Sequence, residues 1–558
     1  MKRKLLLLTV LLQVMSLSAR ERTLQEMQSI ASKILFDRHI TRSADNNETL
    51  TLKYKTDHVA ILGSDAAGFA VITTDDRYQP VVGYGKGQYH FQEGDNLSWF
   101  IKAVNASISE LSRMGTRNTV APNTDKFKAT VAPLLQTTWN QSSPYNDLCP
   151  EAANGTKYPS GCVATALSQI MKYHNYPETG QGEKQYSFKP ADGEGKLLYA
   201  NFGETTYDWA NMLNNYVKGQ YTETQGLAVA TIMLQCGVAV EMNYTPTGSG
   251  AYSTEARAGL INNFKYNNHL GILNRKYYSL NEWMNIVYSE LNQDRPIYYA
   301  GSDKTQGGHA FVIDGYDDQG MVHVNWGWGA NGGNGYFDIT LLNPSGYEFS
   351  VQQEMLIGIA KPDTDIAYES HLTSTYPLTV GKVSTLLNVS PGDAIWNYNG
   401  DAWEGKLAVV LKNKSNGKTY ILGNEVTVTP TADRYNVLNN IKDGATLGGM
   451  KSLPKDIEDG IYYLFIGAKN QYDTDWSLVR RSEEQPNSFL IVVENGKPTS
   501  VEAETNDSWP GTITAISSPS IIKETNHNIY DLRGRNLGTD ASTLPKGVYI
   551  IDGKKVVK

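Results

Sequence analysis

Cysteine is scarce. The 558 residues hold three, Cys149, Cys162 and Cys236. So few, and an odd number, exclude a disulfide-framed scaffold and leave at least one thiol free or bonded to another molecule. CxxC, HExxH and clustered His/Cys patterns are absent, so no metal or cofactor is expected. Blocks of Lys and Arg are absent too. The net charge is -8 with the charges scattered, which argues against nucleic acid as a partner. Beyond the first residues no run of 18 apolar residues occurs, so an integral membrane protein is not expected.

What is present is ordinary for a folded chain, though rich in Gly (50) and Tyr (34). At about 150 residues per domain the length predicts three or four domains. Residues 1–19 read as an export signal: Lys2, Arg3 and Lys4, then "LLLLTVLLQVM", then small residues before a cut near Ser18 or Ala19. Residues 20–128 form a first unit, with helical spacing in "TLQEMQSIASKIL" and at 97–114 around the β-rich runs "HVAILGS", "GFAVITTDD" and "PVVGYG". Its end, 115–129, reads as an exposed linker. Residues 129–362 put helical patterns first (162–174, 208–216, 224–240, 281–292) and strands later ("PIYYAG", "HAFVIDGY", "MVHVNWG", "GYFDIT"), which predicts an α+β unit. Residues 363–500 read as a β-sandwich-like domain, 501–525 as a linker, and 526–558 as a compact β tail.

Cys162 stands where a loop becomes a helix. Val163, Ala166, Leu167, Ile170 and Met171 make the apolar stripe, and Ser160 and Gly161 precede it. In a first helical turn, unpaired N–H groups and the dipole favour a thiolate, the nucleophilic form. The plainer reading is a small apolar residue at a packed helix end, and this stretch alone does not separate the two. A thiolate nucleophile needs a base within reach. His174 lies twelve residues along the same helix, about 18 Å away at 1.5 Å per residue, and reads as a surface or capping residue. His309 and His323 share one hairpin, "GGHAFVIDGYDDQGMVHVNWGWG". His309, behind two glycines and with Asn325 on the return strand to accept from its ring, is preferred as the base. His323 is the structural alternative. Cys236, in an apolar helical run, reads as a small hydrophobe, and "WGWGANGGNGY" as a turn-rich wall with Trp326 or Trp328 lining a cleft.

Four blocks, "WNQSSPYN" (139–146), "SGCVATALSQIMKYHNYP" (160–177), "GGHAFVIDGY" and "HVNWGWG", resemble in order the signature blocks of the streptopain family of secreted papain-fold cysteine peptidases made as zymogens. "GFAVITTDDRYQPVVGYG" resembles the family's inhibitory prodomain. The resemblance implies Cys162 as nucleophile, His309 as general base, Gln141 as oxyanion donor beside the Cys162 N–H, and Asn325 and Trp326 as the pair next to the histidine. It implies substrate contacts at Gly308 and in "TPTGSGAYS" (245–253), here Ser249, Gly250 and Ala251. Gly-Ser-Gly stands in that loop where the family tends to have Ser-Gly-Ser. It further implies protein or peptide substrates with a hydrophobic P2 residue, and the protein's own prodomain as inhibitor. "DKFKATVAP" offers Phe127 at P2 for a processing cut after Lys128. The C-terminal segment resembles the tails of proteins sorted by the type IX secretion machinery. The alternatives are a Cys/His amidase or acyltransferase of the same fold, or a surface-binding protein.

Overall fold

The computed structural model describes residues 20–37, 49–87, 96–111, 120–189, 195–303, 307–342, 351–366, 370–482 and 485–504, with short strands at 529–531, 548–551 and 554–557. The expected export signal and most of the tail and its linker lie outside the described residues. The chain divides into two compact units, residues 1–515 and 516–558.

Among its described residues the first unit has six α-helices: α1 (Leu24–Ser32), α2 (Asn96–Leu111), α3 (Cys162–His174), α4 (Glu223–Ala239), α5 (Ser253–Asn262) and α6 (Leu280–Asn292). Thr23, Thr222 and Ser279 close capping boxes at the starts of α1, α4 and α6, satisfying N–H groups a helix start leaves open. The strands up to residue 357 are β1 (Thr51–Lys55), β2 (Val59–Ser64), β3 (Gly68–Thr73), β4 (Val81–Gly85), β5 (Glu183–Phe188), β6 (Lys196–Asn201), β7 (Gly271–Asn274), β8 (Ile297–Asp303), β9 (Gly307–Tyr316), β10 (Val322–Asn325), β11 (Gly335–Phe337) and β12 (Val351–Ile357). The α+β class expected from the sequence is the one observed.

Ten of these strands form one sheet in the order β1-β2-β3-β4-β11-β10-β9-β8-β12-β7. Its seam lies between β4 and β11, where Tyr336 faces Tyr84 and Phe337 faces Gly83. The first unit read from sequence is therefore not a separate layer but continues the sheet of the next. Glycine makes that approach possible. A Cβ at Gly83 would meet the Phe337 ring at 2.4 Å, and one at Gly335 would meet the Tyr84 carbonyl at 2.3 Å. "WGWGANGGNGY" is thus in part a strand rather than only a turn-rich wall.

The helix expected at 208–216 is absent; turns replace it. Tertiary bonds take the backbone groups a helix would use: the Trp209 carbonyl accepts from Lys172, the Leu213 carbonyl from Trp139 Nε1, and the Asn214 carbonyl from the Thr138 N–H. The β5–β6 hairpin and α5 have no forerunner in the sequence reading. The core splits across the sheet. One cluster packs α2 and α6 against Tyr299, Phe311 and Ile313; the other packs α3 and α4 against Tyr298, Ala310 and Val312.

Residues 370–504 build around a seven-stranded sheet containing Trp403–Asn413, Gly460–Lys469 and Ser488–Glu494, flanked by two smaller sheets over a common core. This β-rich part docks onto α6 and the chain before it. Arg480 pairs with Glu282 at 3.2 Å and lies 4.2 Å over the Tyr278 ring. In the C-terminal unit, Ile529–Asp531, Val548–Ile551 and Lys554–Val557 pair as an antiparallel sheet.

Candidate active site

Gly161 caps α3 with φ 92°. A Cβ there would lie 2.8 Å from the Met242 sulfur and 2.9 Å from the Ser249 carbonyl, so only glycine turns the chain here and delivers Cys162 as the first helical residue. All three cysteines are free. Cys149 and Cys236 are buried and their thiols are pushed up to about 12, chiefly by burial; Cys236 accepts from Ser168 at 3.3 Å. Only Cys162 is partly exposed.

Cys162 and His309 border the same cavity, about 460 Å³ in volume. Gly250, Ala251, Tyr252 and Gly308 line it with them, as do Tyr298, Ala300 and Ser302 on one face of β8 and Gln352 and Glu354 on one face of β12. The register explains the convergence. Ala310 faces Ala300, which faces Glu354, and Gly308 faces Ser302, which faces Gln352. Ala310 lies on the α3 side of the sheet, and its backbone N–H points at the Cys162 sulfur. His309, one residue earlier, falls in the alternation with Phe311 on the α2 side. There Trp99 of α2 packs on it, with ring centroids 5.5 Å apart. The next residue, Phe100, packs on Trp326 and Phe337.

Burial sets both ionisations. It pushes the Cys162 thiol up, against the N–H groups of Ala310, Val163 and Cys162 itself, and pushes His309 down to about 4. Both shifts favour the neutral forms, thiol and imidazole.

The motif blocks meet at Gln169 on α3, which sequence reasoning missed. Its Oε1 accepts from the Trp139 N–H at 3.1 Å and from Asn325 Nδ2 at 3.1 Å; its Nε2 donates to Asn325 Oδ1 at 3.3 Å. Asn325 also donates to the Thr137 carbonyl at 2.7 Å and accepts from the Gly327 N–H at 3.1 Å. Its side chain is thus committed to Gln169 and the chain on either side of it. The expected bond to His309 is not formed, because β10 carries Asn325 into the buried layer beneath Trp139. Trp326 is fully buried and donates to the Gly333 carbonyl. The Gln141 carbonyl accepts from the Ser160 N–H at 3.0 Å, which ties the "WNQ" segment to the residues preceding Cys162. Ser249 turns away from the cavity and donates to the Pro159 carbonyl at 2.7 Å, and Trp328 does not line the cavity. His323 lies 2.5 Å from buried Asp314, which makes it structural. His174 is half-buried and lies 3.1 Å from the Tyr266 hydroxyl, rather than being a surface residue. Alternation along "IYYAGS" is the signal that could have found the β8 wall; nothing local marks Trp99 or Gln169.

Residues 139–337 match the model of the peptidase C10 family. Streptopain of Streptococcus pyogenes is 35% identical over 294 residues, which is 50% of this chain and 73% of that protein. The chain belongs to the peptidase C10 family. It is a streptopain-like cysteine endopeptidase made as a zymogen, acting on protein substrates and inhibited by its own prodomain. The thiol protease/hemagglutinin PrtT of Porphyromonas gingivalis is 34% identical over 316 residues, covering 52% of this chain and 36% of that protein. Among solved structures, a fragment of Prevotella intermedia prointerpain A is 40% identical with a TM-score of 0.52, covering 56% of this chain and 98% of the fragment. Trp99 and Phe100 precede the residues matched by the family model, and they pack on His309 and Trp326. Among the described residues no helix is long and apolar enough to cross a membrane.

Proposed function

We propose that Cys162 is the nucleophile and His309 the general acid–base of this peptidase. The observation that carries it is the shared cavity, with the Ala310 N–H directed at the sulfur. When the prodomain leaves, water re-enters around His309 and the proton passes from sulfur to imidazole. The thiolate adds to the scissile carbonyl carbon, and the oxyanion takes hydrogen bonds from the Cys162 N–H and the Gln141 side chain. The intermediate collapses, the C–N bond breaks, and imidazolium gives its proton to the leaving amine. A water, deprotonated by His309, then releases the acyl group and restores the thiol. Gly308, Gly250 and Ala251 line the wall for the substrate backbone and a hydrophobic P2 side chain; Ser249 anchors that loop to the Pro159 carbonyl, and Trp326, with Trp328 against the same cluster, packs on Phe311 across the sheet. Asn325 is a positioning residue that fixes the start of the Trp326 segment through Gln169.

Processing after Lys128 fits this reading. Residues 123–126 and 128–130 are exposed and Phe127 is half-buried. The export signal at 1–19 and sorting through residues 526–558 complete it, on the residues quoted above. The test is Cys162→Ala and His309→Ala. Each is expected to lower casein hydrolysis by about 10⁴-fold or more while the chain still folds, and the Cys162→Ala chain stays full length. Maturation of that variant at the wild-type rate without added protease would refute self-processing. Its release, followed with and without residues 526–558, tests the sorting role.

A further inference from the structure

The β-rich domain closes a second cavity, about 340 Å³ in volume, against the peptidase domain. It shares Tyr252, Ser253, Gln352 and Glu354 with the catalytic cavity, so the two lie on either side of one wall. Its size is within the range of about 300–1,000 Å³ typical of ligand sites. The peptidase domain supplies Lys276 and Tyr277, and the β-domain supplies Thr373, Tyr398 and Arg434.

The charges are asymmetric. Glu354, the carboxylate of the lining, stands on the wall shared with the catalytic cavity; the ammonium of Lys276 and the guanidinium of Arg434 belong to the second cavity alone. Lys276 is exposed, lies 4.9 Å over the Tyr277 ring, and has no carboxylate within ion-pair distance among the described residues. Arg434 is held in place. It donates to Thr254 Oγ1 at 2.8 Å, lies 4.9 Å over the Tyr252 ring, and has Asp433 beside it at 3.4 Å.

We propose that this cavity is a distal subsite taking an acidic side chain of the peptide substrate, three to five residues before the scissile bond, and that the β-domain thereby sets specificity. The inference rests on reading the catalytic cavity as the peptide site. With P2 against Gly250 and Ala251, the loop running on through Tyr252 and Ser253 to Thr254 leads the unprimed chain past the shared wall to Lys276 and Arg434. A carboxylate there meets the Lys276 ammonium, which has no carboxylate partner among the described residues, and it passes Glu354 on the way rather than resting beside it.

The experiment uses the full chain after maturation. Paired peptides with a constant hydrophobic P2 carry Glu, Gln or Lys at P3, P4 or P5, and kcat/KM is measured for each. The expected result is a preference of about five-fold for Glu over Gln at one of these positions, the scale of a half-exposed ion pair, shrinking in 0.5 M NaCl as screening requires. In Arg434→Met the ratio falls toward one. In Lys276→Glu it inverts, so that the Lys peptide is preferred, a gain that an unfolded variant cannot give. Equal cleavage of Glu and Gln peptides by the wild type, or a Glu preference unchanged in both variants, overturns the subsite while leaving the catalytic reading intact. Cleavage of none of the peptides overturns both.

Discussion

At the scale of single residues, the site is assembled by contacts one to three atoms long. Gly161 is irreplaceable because Met242 and the Ser249 carbonyl fill the space a Cβ would need. Cys162 and His309 were legible in the sequence because a helix start and a strand start each carry their own local signal. The partner of Asn325 was not, since the strand pairing that decides its surroundings depends on a register shift between His323 and Val324. Geometry gives Asn325 a different consequence from the one its motif implies. Asn325→Ala removes the partner of Gln169 Nε2 and one of the two partners of its Oε1, which keeps the Trp139 N–H, and is expected to cost about 1–3 kcal/mol, the penalty for stranding a buried polar group. Urea unfolding should show the loss, while the acid limb of the kcat/KM profile of the folded variant stays where it was. A displaced acid limb with unchanged stability would instead make Asn325 the orienter of the imidazole.

Between elements, the decisive feature is the joint between β4 and β11, because it adds β1–β4 to the sheet that carries His309; with residues 20–128 as the proposed prodomain, the inhibitor shares the enzyme's own sheet. The joint uses Gly83 on one side and Gly335 on the other, and Tyr84 reaches across to donate to Asp317 at 2.7 Å. Sequence patterning located the strands of both partners but not the joint, for glycine carries no side chain to show which face a strand presents. Spacing alone also misplaced a helix at 208–216, where apolar periodicity was present but Lys172, Trp139 and the Thr138 N–H took the carbonyls of Trp209, Leu213 and Asn214. The seam can be broken from the mature side alone. Gly335→Ala puts a methyl 2.3 Å from the Tyr84 carbonyl, a contact that exists only while the prodomain is bound. The isolated prodomain is expected to inhibit the mature variant at least about ten-fold more weakly, about 1.4 kcal/mol, with casein hydrolysis by the mature enzyme within two-fold of wild type. Undiminished inhibition would show that α2, through Trp99 and Phe100, holds the prodomain unaided.

At the scale of the whole molecule, burial favours the neutral ring at three histidines among the described residues, in different places. His309 lies under the prodomain, His174 near the end of α3, and His371 where the β-domain meets the peptidase domain. Burial comes first in each case. It holds His309 and His174 at about 4 and His371 at about 3, with Lys361 adding to the shift at His174 and Arg480 and Arg257 at His371. An unfolded chain protonates these rings near pH 6.5. Between about pH 6.5 and 4 the unfolded state therefore binds more protons than the folded one, and stability must fall as pH falls through that window. The carboxylates held low, such as Glu26 at about 2 beside Arg20, add their loss only below about pH 4. Asp473, pushed up by burial, works in the opposite sense. The Cys162→Ala zymogen, which cannot digest itself, should show urea midpoints that decline steadily from pH 7 to 4.5. His371→Gln and His309→Gln in that background should flatten the decline, the former at the β-domain junction and the latter under Trp99. A midpoint constant across that range would mean that these rings take up protons in the folded chain as readily as in the unfolded one, and that burial does not hold them neutral.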